Sequence, residues 1–104
     1  MNKNKPYEII ENVDGTLTLR VGTVCKTFRN AITLQSFARE LYERLSARRT
    51  GIFRLQDGED GRLKIKFNKG GEVISVKNYD QAELFASMIM QETDSKLVSI
   101  NGNR

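Results

Sequence analysis

The sequence predicts an α+β fold of tandem βββα repeats: antiparallel sheets with helices packed on one face and a basic exposed face on the other. Three observations predict it. The chain is self-similar about two Asp-Gly pairs, each copy holds three short alternating stretches, and each copy ends in an amphipathic stretch of helical spacing. Superposing Asp14-Gly15 on Asp60-Gly61 brings Tyr7 onto Phe53, Ile9 onto Leu55, Leu17 onto Leu63, Leu19 onto Ile65, Arg20 onto Lys66 and Val21 onto Phe67. Two additional residues near Asn68-Lys69 shift the register. Beyond them Phe28 matches Val76, Arg29 matches Lys77, Asn30 matches Asn78 and Phe37-Ala38 matches Phe85-Ala86. Agreement that persists through turns, strands and helix favours duplication over convergence of two amphipathic patterns.

In the first copy, residues 7–12 and 16–21 alternate across Asp14-Gly15, a hairpin signal because glycine accepts positive φ. Residues 24–30 continue as a third strand after Gly22. A helix follows with Thr33 as N-cap and Leu34, Phe37, Ala38, Leu41 and Leu45 on one stripe. Its other face offers Arg39–Glu43 and Glu40–Arg44 at i, i+4 spacing, while Arg48 and Arg49 suit the helix C-terminus and Gly51 ends it. The second copy repeats the plan with strands near 52–57, 62–68 and 72–77. Its helix opens on an Asp80–Glu83 capping box and buries Leu84, Phe85, Met88 and Ile89. Leu97-Val98-Ser99-Ile100 is expected to add an edge strand, and the two chain ends, before Pro6 and from Asn101 to Arg104, to be frayed.

The 104 residues fit a single compact domain, 1–104, made of repeats at about 7–49 and 52–93 plus a short tail or edge strand at 97–100. Such a chain buries roughly 60% or more of its unfolded surface without disulfide staples. One cysteine excludes an internal disulfide and makes a reducing, cytoplasmic compartment the expectation. The absence of histidine removes His general bases, Ser–His and Cys–His dyads and His-containing metal sites; no enzyme activity, cofactor or metal is expected. No apolar leader or membrane span is apparent, so no membrane partner is expected.

Alternation separates the two sheet faces. With Leu17, Leu19, Val21, Leu63, Ile65 and Phe67 turned toward the helices, the opposite face carries Arg20, Arg29, Arg54, Arg62, Lys64, Lys66 and Lys77. Thr16, Thr18, Thr27, Ser75 and Gln56 lie among them, and the face offers chiefly Glu8 as an acid. The net charge of +4 would say little if scattered, but one-sided placement makes a local field suited to phosphates. Against this stands the ordinary use of Lys and Arg to keep exposed strands soluble and unpaired. The face also lacks aromatics for base stacking.

Smaller signals carry less. Gly70-Gly71 reads as a turn, since no Lys-Ser/Thr follows it into a helix. The run from Asp57 to Gly61 lacks the ligand spacing of a calcium loop. Cys25 has no second cysteine or base beside it and reads as an inert small residue.

The second copy resembles the three-strand-plus-helix DNA-binding domain of tyrosine integrases and the plant ethylene-response-factor type. The similar residues are Ile52-Phe53-Arg54, Asp60 to Phe67, Gly70 to Ile74 and Val76 to Ala86; the first copy matches over Gly15 to Val21 and Phe28 to Asn30. The family's middle-strand aromatic is absent here. The resemblance implies that the sheet enters the DNA major groove, with Arg62, Lys64, Lys66 and Lys77 contacting bases and phosphates and Arg20 and Arg29 as counterparts. The duplicated units are also similar to Pur-type single-strand-binding folds, which have four strands per repeat. The expectation is a small nucleic-acid-binding protein, DNA favoured over RNA, acting as a regulatory or accessory factor of a phage, plasmid or bacterium. The alternative is a protein–protein adaptor or inhibitor that docks on an acidic or nucleic-acid-binding surface of a larger protein, with the 97–100 run as an edge for strand addition or homodimerisation.

Overall fold

Apolar side chains at every second position fold each half of the chain into a three-stranded meander. The computed structural model describes residues 6–43 and 51–101. Its elements are β1 (Glu8–Glu11), β2 (Leu17–Val21), β3 (Val24–Phe28), α1 (Ala31–Glu43), β4 (Phe53–Asp57), β5 (Leu63–Phe67), β6 (Val73–Val76) and α2 (Tyr79–Asn101). The strands form two separate three-stranded sheets, ordered β1-β2-β3 and β4-β5-β6, with every pairing antiparallel.

The two Asp-Gly hairpins close with the same three hydrogen bonds. The N–H of Asn12 donates to the carbonyl of Thr16 (2.9 Å) and that of Gly15 to Asn12 (3.0 Å); Gly58 donates to Arg62 (2.6 Å) and Gly61 to Gly58 (3.2 Å). Asp14 Oδ1 accepts from the N–H of Thr16 at 3.0 Å, and Asp60 Oδ1 from that of Arg62 at 3.1 Å. The turns need Gly15 and Gly61 at φ of 90° and 85°, where a side chain is strained. Asp14 is held below the usual carboxylate range by hydrogen bonds from the Thr16 hydroxyl and then the Thr16 N–H.

Both helices start on an asparagine rather than at the expected caps. Asn30 Oδ1 accepts from the N–H of Thr33 and Asn78 Oδ1 from that of Gln81, each at 2.9 Å. The Thr33 hydroxyl itself donates to Asn30, so Thr33 lies inside the first turn. Asp80 is likewise a first-turn residue near the positive end of the helix dipole, not a cap. The stripe that α2 buries is Ala82, Phe85, Ala86, Ile89 and Thr93, at helical spacing, and Leu84, expected in the core, lies off it and is half exposed.

The expected edge strand at 97–100 is instead the end of α2. No Gly or Pro interrupts the chain after Asn78 up to that point, and the Thr93 hydroxyl returns to the carbonyl of Ile89 at 2.8 Å instead of competing for an alternative turn. Arg39 and Glu43 are both exposed, and no ion pair joins them among the described residues. Arg44, Leu45, Arg48 and Arg49 lie outside the described residues.

One core joins the halves. α1 packs against α2, and a single cluster takes side chains from Leu19, Phe28, Phe37, Phe53, Ile65, Phe67, Phe85 and Ile89 among others. Its ring contacts cross from one half to the other. Tyr7 meets Phe85 of α2 edge-on at 5.7 Å, and Phe53, its match in the second half, meets Phe37 of α1 at 5.5 Å. Phe67 also lies 6.0 Å from Phe28 and 5.1 Å from Phe37. Each half thus packs the start of its sheet on the other half's helix, with aromatic pairs worth about 0.5–1.5 kcal/mol each beyond their buried area.

Candidate nucleic-acid interface

Inward residues on every strand leave the cations of the second sheet on its outward side. Register places Arg54 opposite Lys66 and Gln56 opposite Lys64 across β4 and β5. Across β5 and β6, Lys64 lies opposite Ser75 and Lys66 opposite Val73. Arg54, Lys64 and Lys77 are exposed, and Arg62 and Lys66 are partly so. Arg62 is fixed across the strands: its Nε donates to Ser75 Oγ at 2.8 Å and one terminal nitrogen to the Ser75 carbonyl at 3.3 Å. No ion pair among the described residues engages Arg54, Arg62, Lys64, Lys66 or Lys77. Three acids of this half, Asp57, Glu59 and Asp60, line a hollow at the β4–β5 turn together with Arg62 and Lys64.

The first sheet differs. Glu8 lies opposite Arg20, and the two side chains form an ion pair. Thr18 and Thr27, also opposite one another, share a hydrogen bond of 3.0 Å. The Asn12 amide donates to the hydroxyls of Thr16 (2.9 Å) and Thr18 (3.1 Å). The hydroxyls of Thr16, Thr18 and Thr27 are therefore already engaged with neighbours. Cys25 lies exposed opposite Arg20.

Arg29 is exposed just beyond β3 and stands apart from the second-sheet cations. With Lys26, Phe28, Ile52, Phe67 and Lys69 it lines a groove of about 510 Å³ where the halves meet. Lys26, unremarked in the sequence, belongs to the joint rather than to an outer face. Its Nζ donates to the Lys69 carbonyl (2.8 Å) and to Glu72 (3.1 Å) and lies 5.1 Å from the Phe67 ring centre. Burial pushes the Glu72 carboxyl up, but a backbone N–H and Lys26 outweigh it and hold the group below its usual range. Alternation alone marks Lys26 as inward, since it shares a side of β3 with Phe28; its partner needed the three-dimensional arrangement.

No group of His, Cys, Asp or Glu among the described residues is arranged to hold a metal ion, and no helix among them is long and apolar enough to cross a membrane. In comparisons with protein-family models, curated proteins and solved structures, nothing matches this chain.

Proposed function

We propose that the chain is a duplicated pair of βββα units that binds nucleic acid, duplex DNA before RNA, through the outward side of its strands. The observation that carries this reading is the contrast in charge pairing: Arg54, Arg62, Lys64, Lys66 and Lys77 have no carboxylate partner among the described residues, whereas Arg20 is paired with Glu8. Unpaired cations on a pleated surface offer charge-assisted hydrogen bonds to phosphate oxygens. With no aromatic side chain in the outward rows of the second sheet, Arg54-Gln56, Arg62-Lys64-Lys66 and Val73-Ser75-Lys77, base stacking has no platform, which favours a duplex over a single strand.

Fluorescence anisotropy with labelled duplex DNA, single-stranded DNA and RNA across a salt series tests this. About five phosphate contacts give a log–log slope near −4.5 on duplex DNA. Lys64→Glu with Lys66→Glu is expected to abolish that binding while leaving the circular dichroism and melting profile of a folded protein. Retained affinity in the folded double variant overturns the reading. Flat titrations at low salt favour the second use of the same cations, docking on an acidic protein surface.

A further inference from the structure

We infer that Arg54 and Lys66 form a phosphate-binding subsite that is kept at a cost to sheet stability, an inference that rests on the nucleic-acid reading above. The two residues are register partners across β4 and β5. The equivalent partners in the first sheet are Glu8 and Arg20 across β1 and β2. One backbone position therefore carries attraction in the first sheet and repulsion in the second. Like charges directly opposite one another destabilise an antiparallel pair, and opposite charges stabilise it.

Among the described residues no carboxylate pairs with either cation, and the register neighbours bring none. The third member of the row, opposite Lys66 on β6, is Val73, which leaves 37% of its surface exposed and brings no charge. The neighbouring row is Gln56, Lys64 and Ser75, again without an acid. A phosphodiester supplies what the row lacks. The Arg54 guanidinium presents a planar fork to two phosphate oxygens, and the Lys66 ammonium adds a point charge from the facing strand. Binding then converts a repulsive pair into two attractive ones. The first sheet cannot do this at its matching position, because the Glu8 carboxylate already occupies Arg20.

Arg54→Glu, which copies Glu8 into the second sheet, separates the two effects. In low salt the variant is expected to melt about 2–4 °C above the wild type, from the sign change of one cross-strand pair. The gain should shrink as salt screens the charges. Sodium tripolyphosphate should raise the melting temperature of the wild type and not that of Arg54→Glu, and duplex affinity should fall about tenfold or more in the variant. Arg54→Gln should reduce the magnitude of the salt slope by about one. The reciprocal variant, Glu8→Arg, should melt lower and gain a response to tripolyphosphate, which tests the same cause from a different position. An Arg54→Glu protein that melts no higher, or that binds duplex as tightly as the wild type, overturns the subsite while the wild type's own steep titration keeps the broader reading. A wild type stabilised by tripolyphosphate through Arg54 but indifferent to nucleic acid keeps the subsite and overturns the broader reading. Indifference to both ligands overturns both.

Discussion

Asn30 and Asn78 show how one side chain fixes where an element begins. Each accepts an N–H bond in the first turn of its helix, and each follows an exposed cation, Arg29 or Lys77, that the same start holds at the end of a strand. Asn30→Ala or Asn78→Ala should each cost about 1 kcal/mol, read as a lower urea midpoint with an unchanged m-value. Tyr7 is the second instructive residue. Burial, the hydrogen bond of its hydroxyl to Glu92 Oε1 (2.8 Å) and the charge of that carboxylate all raise its pKa. The folded state keeps the phenolic proton after the unfolded chain has lost it. Its contribution is complete below about pH 10, the ordinary tyrosine value, and is lost as pH rises through the folded value. Tyr7→Phe should therefore flatten the alkaline fall of stability, measured as urea midpoints from pH 8 upward.

Among the elements, the β4–β5 hairpin is the one whose geometry matters most to the proposed surface, because it sets Arg54 against Lys66 and Gln56 against Lys64. A one-residue slip would turn Leu63, Ile65 and Phe67 to the outside, so the register is held by burial as well as by the turn. Gly61 contributes the turn's share. A Cβ there meets no atom within 4 Å, and only its φ of 85° opposes a side chain. Gly61→Ala should cost about 1–2 kcal/mol in thermal or urea unfolding, the strain of a left-handed residue alone. The second helix teaches the opposite lesson about local pattern. Its apolar run at 97–100 has the look of a strand, but a continuous helical sequence from Tyr79 carries it into α2.

For the whole molecule, the crossed aromatic pairs make the halves interdependent. Phe37 of α1 touches Phe28 of its own half and Phe53 and Phe67 of the other. Phe37→Ala should cost about 3–5 kcal/mol and lower the protection of β2 and β5 amides together, in one cooperative hydrogen-exchange transition. A loss confined to the first half would show that the halves are independent units. The helix α2 adds further ties to the first sheet through Tyr7–Glu92 and the Glu11–Lys96 ion pair.

Much of this protein was legible in its sequence because the information is local. Period-two alternation in Leu17 to Val21 and Leu63 to Phe67, two Asp-Gly turns and helical spacing from Phe37 to Leu41 specify strands, hairpins and a helix through short-range sterics and burial. The same alternation assigns Arg54, Arg62, Lys64 and Lys66 to one side of their sheet. Only the tertiary structure decided which cations are neutralised and which halves touch. The Glu8–Arg20 pair depends on register between strands, and the Lys26–Glu72 and Tyr7–Phe85 contacts join residues far apart in the chain. Such contacts are set by how the two sheets and two helices share one core, which no local pattern encodes.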